Sequence, residues 1–326
     1  MMVESLEGGD LCIPPLNTTC RPMSVTHKAM LIKTLLSCFC LLTVMLNLLV
    51  IISISHFRQL QTPTNLILLS LAVSDFLVGL AVMPVAINSV QSCQYIDKIS
   101  CALSYLLAFI LTSASVGSMV LIAVDRYVAI CYPLRYSSII TTSRVKICVC
   151  LCWMCSVMYS LIILKGNLSQ IVLSNPCHEV CTVIIDYISG AVDLILTFFG
   201  PVIVIIVLYV RVFVVAVSQA RVMRSQISAA KSITVTVKKS ELRAARTLGI
   251  VLLVFIICLC PYFSPSIIGQ DISGNADFLA QIWLFYCNST FNPLIYAFFY
   301  PWFRKAVKLI VRLQILQPGS RESKIM

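Results

Sequence analysis

The run FLAQIWLFYCNSTFNPLIYAFFY, from Phe278 to Tyr300, has no Asp, Glu, Lys or Arg in its 23 residues. As a helix it would be about 35 Å long, enough to cross a hydrocarbon core of about 30 Å. It carries Pro293 within it and a polar group at Asn288, Ser289 and Asn292. Directly after it, Pro301-Trp302-Phe303-Arg304-Lys305-Ala306-Val307-Lys308-Leu309-Ile310-Val311 sets Lys and Arg among apolar residues at helical spacing. That pattern predicts an amphipathic helix lying on a membrane surface.

Six more runs of this kind precede it, at Thr34–Ser55, Asn65–Val90, Ile99–Cys131, Val145–Leu164, Ile184–Val214 and Arg243–Ile268. Of the 326 residues, 59% are hydrophobic and 11% charged, whereas a soluble domain carries about a quarter charged residues. The predicted fold is an all-α membrane protein, a seven-transmembrane-helix bundle with a short amphipathic eighth helix. Residues 1–30 form an external N-terminal segment, 31–300 the membrane domain, and 301–326 the amphipathic helix with a cytoplasmic tail. From Gln317 onward the tail is polar and is expected to be disordered.

Charge sets the orientation. Arg58, Arg135, Arg144, Lys146, Arg221, Arg224, Lys231, Lys238, Lys239, Arg304 and Lys305 share one side, against Arg21, Lys28, Lys33, Lys98 and Lys165 on the other. Lys and Arg in short loops mark the inside, so the N-terminus is predicted external, in a multi-pass plasma-membrane protein. The net charge of +11 then reflects topology and anionic inner-leaflet lipid, not nucleic acid. The first thirty residues lack a signal-peptide pattern, so the first span is expected to act as an uncleaved anchor. Asn17 and Asn167 head glycosylation sequons in predicted external segments. Six cysteines fall outside, Cys12, Cys20, Cys93, Cys101, Cys177 and Cys181, where disulfides form. No internal repeat points to a transporter, and no set of nucleophile, base or metal ligands points to an enzyme.

Polar residues inside lipid are expensive and face the bundle interior or a wet cavity. Asp75, Asn47, Ser115, Asn288, Ser289 and Asn292 fall at matching depth. They form either a hydrated pocket able to hold a small cation such as sodium, or a hydrogen-bonded cluster that fastens helices. Asp125-Arg126-Tyr127 closes the third span, and Glu241 opens the sixth as a second carboxylate for Arg126. Pro201, Pro261 and Pro293 each sit inside a span, where a proline frees a carbonyl and permits a kink.

Taken in order, Asn47, Asp75, Cys101, Asp125-Arg126-Tyr127, Trp153, Pro201, Tyr209, Pro261 and Asn292-Pro293-Leu294-Ile295-Tyr296 resemble the landmark residues of rhodopsin-like receptors. The resemblance implies a G-protein partner at Asp125, Arg126, Tyr127 and Tyr209, with Pro293 and Tyr296 in the activation machinery. It also implies a sodium pocket at Asp75 and a bridge from Cys101 to the second external loop. The stretch Asn288-Ser289-Thr290-Phe291-Asn292-Pro293 through Tyr300-Pro301-Trp302-Phe303 is similar to the fingerprint of trace amine-associated receptors. By that resemblance the bridges are Cys101–Cys181 and Cys12–Cys177, the ligand is a small amine, and the role is chemosensory, through a stimulatory G protein.

Aminergic receptors hold the ligand ammonium with an aspartate in the third helix; the matching position here is Ala108, with Thr112 one turn further in. The fifth span supplies another acid, Asp193, on a stripe with Asp186, Ser189 and Thr197 spaced by three, four and four. Some fish members of the family carry the acid there instead. Asp193 is either the ammonium anchor or a structural group. Asp186 either takes a second ammonium of a diamine or polyamine, or solvates the pocket mouth. Tyr262, Phe263, Trp283 and Tyr286 supply either an aromatic wall favourable to cations or ordinary packing. The sixth span also departs from the usual Cys-Trp-x-Pro, reading Cys258-Leu259-Cys260-Pro261.

Overall fold

In the computed structural model the described residues are 27–89, 98–167, 171–174, 180–183, 187–226, 249–250, 253–264, 276–323 and 325. The first helix is His27–His56. The second starts where Thr62 accepts a hydrogen bond from the Asn65 amide and Pro63 occupies the first turn, a capped, proline-led start. It runs Pro63–Leu77, widens into a π-helical turn at Val78–Val82, and continues as Met83–Ser89. The third helix is Lys98–Cys131 and the fourth Thr142–Asn167. The fifth runs Tyr187–Asp193, widens at Leu194–Phe199, and continues as Gly200–Gln226. The sixth is described over Leu253–Ser264, and the seventh is Ala276–Phe299.

Both wide turns lie just before a proline, Pro84 and Pro201. A proline inside a helix lacks the amide hydrogen and clashes with the carbonyl four residues back. One extra residue in the turn relieves both, and the amides of Met83 and Gly200 bond to carbonyls five residues back, at Val78 and Ile195.

Several helices extend past the predicted spans: the first begins at His27 instead of Thr34, and the fifth ends at Gln226 instead of Val214. The backbone ladder has no reason to stop where lipid does. Between the fourth and fifth helices, the strands β1 (Ile171–Ser174) and β2 (Val180–Val183) pair antiparallel, with Leu173 opposite Cys181. This hairpin packs against the third helix.

The third helix is the hub, packed on the second, fourth and fifth. Gly117 lets the fourth helix close in, since a Cβ there would lie 2.2 Å from Cys152 Sγ. Nearby, Trp153 Nε1 donates to Ser70 Oγ (3.0 Å), which is hydrogen-bonded to Ser118 Oγ (3.1 Å), tying three helices. Val50, Ile54, Leu71, Met119, Ile122, Phe255 and Tyr296 form the buried core. Leu35, Leu41, Met45, Leu151, Met154, Ile162, Ile203, Val207 and Phe213 are exposed. An outer surface this apolar suits lipid, not water.

The helix Pro301–Val311 buries Trp302, Phe303 and Ala306 while Arg304 and Lys305 face out, and it packs on the first helix. The expectation of a disordered tail is corrected. Positive φ at Leu313 (55°) and Gly319 (82°) turns the chain back, and the tail docks on the loop between the first and second helices. There Ser320 Oγ bonds His56 Nε2 (3.0 Å) and the Ile325 amide donates to Gln59 Oε1 (3.1 Å). Arg58 pairs with Glu322 (3.4 Å), and the Ile325 side chain, 1% exposed, joins the core around Phe57. Composition suggested disorder because the tail is polar; one buried isoleucine at its end supplies the missing anchor.

Candidate functional site

Three polar sites occupy three depths of the bundle. In the middle, Asp75 is fully buried. Ser289 Oγ donates to its Oδ1 (2.9 Å) and Asn292 Nδ2 to its Oδ2 (2.8 Å). Asn47 Nδ2 donates to the carbonyls of Thr43 and Ser289, each at 2.9 Å. Ser115 approaches Asp75 without closing a hydrogen bond. Around this carboxylate, Asn47 Oδ1, Ser115 Oγ, Asn288 Oδ1 and Asn292 Oδ1 are buried oxygens without a partner. A cavity of about 20 Å³, lined in part by Ser115, Asn288 and Ser289, adjoins them, room for about one water-sized occupant. Unsatisfied buried oxygens beside a carboxylate form an oxygen-only set of the kind hard cations take. The sequence grouping of these six residues is therefore a spatial one.

At the inner end, Arg126 is ion-paired with Asp125. Its Nε–Oδ2 hydrogen bond is 2.9 Å, and its Nη2 donates to Thr64 Oγ1 at 2.7 Å. Thr64 Oγ1 and Tyr136 Oη both reach Asp125, at 3.0 and 2.8 Å. Tyr136 lies in the short helix Tyr136–Ile139 between the third and fourth helices; burial, then the Asp125 carboxylate, pushes its phenol above the usual range. Sequence reading missed both Thr64 and Tyr136, which are local neighbours of nothing in the motif. Glu241, expected as the second carboxylate, lies outside the described residues. The hydroxyls of Tyr209 and Tyr296 are buried without a partner, and the Tyr296 ring packs edge-on to Tyr300 at 5.8 Å. Gly249 on the sixth helix meets Tyr209 closely, a Cβ there lying 3.1 Å from Tyr209 Cε1.

Toward the outer half, Asp193 is half-buried at the last residue before the wide turn of the fifth helix. Tyr159 Oη on the fourth helix donates to its Oδ1 at 2.5 Å, and Thr197 Oγ1 lies 3.2 Å from the same oxygen. No basic group touches it among the described residues; the ion pairs there are Arg126–Asp125 and Arg58–Glu322. Of the predicted stripe, Asp193 and Thr197 are joined, Ser189 is half-buried, and Asp186 lies outside the described residues. Tyr159 was not foreseen; its signal is a phenol in the middle of an apolar span, which needs a partner.

The four aromatic residues singled out in the sequence belong to one connected series, with Phe198 and Phe285 as additional links. Phe198 stacks on Phe263 (4.9 Å), Phe263 meets Tyr262 (5.0 Å), and Tyr262 meets Phe285 (4.9 Å). Phe285 meets Tyr286 (5.8 Å), and Tyr286 meets Trp283 (5.6 Å). The series spans the fifth, sixth and seventh helices, with Tyr262 within electrostatic reach of Asp193. Ala108 packs in the apolar cluster of Val82, Met83 and Leu111 and offers no charge. Thr112 lines the 20 Å³ cavity together with Phe255, Leu259 and Phe285. That cavity therefore lies between the aromatic series and the Asp75 cluster.

Cys101 is disulfide-bonded. Cys12, Cys20, Cys93 and Cys177 lie outside the described residues, as does Asn17. Asn167 is the last residue of the fourth helix.

The sequence matches the 7 transmembrane receptor (rhodopsin family) profile over residues 46–296. It is 38% identical to trace amine-associated receptor 13c of Danio rerio, covering 98% of this chain and 97% of that one. It is 35% identical to trace amine-associated receptor 1 of Mus musculus, over 90% and 92% of the two chains. With trace amine-associated receptor 9 of Mus musculus the identity is 36%, over 95% and 93%.

Proposed function

From the premise that this chain belongs to the rhodopsin family of seven-transmembrane receptors, and within it to the trace amine-associated receptors, we propose that it senses small amines through Asp193. It is a receptor and not an enzyme. The observation that carries the reading is an acidic side chain in the outer half of the bundle whose partners, among the described residues, are hydroxyls. A carboxylate held in low dielectric without a counter-charge is costly, and a ligand ammonium supplies that charge through a charge-assisted hydrogen bond. Tyr262 and its aromatic neighbours offer ring faces that favour a cation by about 0.5–2 kcal/mol. Asp186, seven residues before Asp193, is the candidate second acid for a diamine or polyamine.

The rest of the reading follows from the family. The N-terminus is external at the plasma membrane, with Asn17 and Asn167 glycosylated. Cys101 pairs with Cys181, whose strand lies against the third helix, and Cys12 pairs with Cys177. Asp75, Asn47, Ser115, Asn288 and Ser289 would hold a sodium ion, supplying its oxygen ligands. On the inner face Asp125, Arg126, Tyr127, Tyr209 and Glu241 serve a heterotrimeric G protein, of the stimulatory class, in a chemosensory, olfactory role.

A second reading has one observation in its favour: the Tyr159–Asp193 hydrogen bond joins the fourth and fifth helices, as a purely structural acid would, with the ligand then not an amine. A second-messenger screen against mono-, di- and polyamines, on the parent and on Asp193→Ala at equal surface expression, separates the two. Amine responses lost in the variant support the anchor. Responses unchanged in the variant support the structural acid.

A further inference from the structure

The kind of cation that Asp193 accepts follows from how its carboxylate is already used, an inference that rests on the anchor reading above. Both hydroxyls converge on the same atom. Tyr159 Oη donates to Oδ1 at 2.5 Å, and Thr197 Oγ1 stands 3.2 Å from Oδ1 while also 2.6 Å from the Asp193 carbonyl. Thr197 has one hydroxyl hydrogen to share between these two acceptors, so Tyr159 is the principal donor. A carboxylate oxygen has about two lone-pair sites, and on Oδ1 both face a hydroxyl. Oδ2 carries no hydrogen bond among the described residues.

Among the described residues, the two serines flanking Tyr159 on the fourth helix are engaged elsewhere. Ser156 and Ser160 on the fourth helix spend their hydroxyls on the carbonyls of Cys152 and Ser156, at 2.9 and 2.7 Å. The pattern on Asp193 is thus built by one phenol from the fourth helix and one hydroxyl from the wide turn of the fifth.

Cations differ in what they ask of a carboxylate. A guanidinium binds best as a fork, two parallel N–H bonds to the two oxygens, whereas an ammonium is a compact charge that is satisfied by one oxygen. We propose that Tyr159 and Thr197 make Asp193 a one-oxygen acceptor, so that the receptor selects alkylammonium ligands over guanidinium ligands of the same carbon skeleton. Tyr159 is the positioning residue that sets the preference. It acts through Asp193 and holds the carboxylate so that Oδ2 is the atom presented.

The test uses matched pairs on membranes carrying the full-length receptor: n-alkylamines and n-alkylguanidines of the same chain length, with 2-phenylethylamine and 2-phenylethylguanidine. Ligand-stimulated nucleotide exchange is read for the parent, Tyr159→Phe, Thr197→Val and Asp193→Ala, each normalised to surface expression. The parent is expected to favour the amine of a pair by tenfold or more in potency. In Tyr159→Phe the amine loses potency, the guanidine loses less or gains, and the ratio contracts about tenfold. Thr197→Val moves the ratio the same way by a smaller factor, and decides the matter if Tyr159→Phe does not reach the surface. A simple loss of folding or of helix packing lowers both members of a pair together and leaves the ratio unchanged.

An unchanged ratio in both hydroxyl variants overturns the inference, as does a parent that prefers the guanidine. A parent silent to every amine, or an Asp193→Ala variant that responds like the parent, overturns the anchor reading itself. With amine responses lost in Asp193→Ala and the ratio fixed in the hydroxyl variants, only the selectivity claim fails.

Discussion

Two acids within the spans of this receptor, Asp75 buried and Asp193 half-buried, carry opposite burdens. Asp75 accepts from Ser289 and Asn292, and the buried oxygens of Asn47, Ser115, Asn288 and Asn292 are unpartnered, a set suited to a small cation. Asp193 has hydroxyls on one oxygen and, among the described residues, no hydrogen bond on the other, which on the proposed reading leaves that oxygen for a ligand cation. If sodium fills the inner set, replacing NaCl by KCl is expected to raise amine potency in the parent by several-fold. Asp75→Asn removes the charge that holds the ion, so its potency is expected to be the same in both salts; a parent indifferent to sodium contradicts the assignment. Both acids were legible from the sequence, because charge inside an apolar run is rare enough to be conspicuous. Their partners were legible only in part. Asn47, Ser289 and Asn292 announce themselves as polar residues in lipid, whereas Tyr159 and Thr64 look like ordinary span and loop residues until the fold brings them beside Asp193 and Asp125.

At the scale of the element, the number and order of helices were plain from apolar runs, and the helix ends were not, since the first and fifth helices extend into water. The two π-helical turns also escaped periodicity. Each adds a residue to a turn ahead of Pro84 or Pro201, so a stripe counted at three and four residues does not continue unchanged through Leu194–Phe199. Glycine marks where elements meet most closely. Gly117→Ala places a methyl 2.2 Å from Cys152 Sγ but 3.8 Å from Cys152 Cβ. Overpacking of this kind costs about 1–3 kcal/mol. The variant is expected to melt several degrees below the parent in detergent, and the double variant Gly117→Ala with Cys152→Ala to recover most of the loss. A Gly117→Ala receptor as stable as the parent contradicts the close approach.

In the whole molecule, the chain closes on itself at the end of the bundle that holds the Asp125–Arg126 pair. The tail reaches back to the first loop through Ser320, Glu322 and Ile325. The exposed Arg58–Glu322 pair contributes little, so burial of Ile325 carries the contact. Deleting residues 318–326 is expected to speed amide hydrogen exchange in residues 57–61, with surface expression retained; unaltered exchange there contradicts a docked tail. The same bundle holds the Asp125–Arg126 pair, the Asp75 cluster, the 20 Å³ cavity lined by Leu259, and the series of rings from Phe198 to Trp283. On the proposed reading, the receptor answers to an amine only if Asp193 is charged. The most direct measurement is the concentration–response of the parent and of Asp193→Asn to the same active amine. Asparagine keeps the volume and an acceptor for Tyr159, and replaces the free oxygen by a donor. The expected result is a loss of potency of about a hundredfold or more, the scale of about 2–5 kcal/mol for stripping one partner from a buried charge pair. An asparagine variant within threefold of the parent would contradict an amine anchored at Asp193.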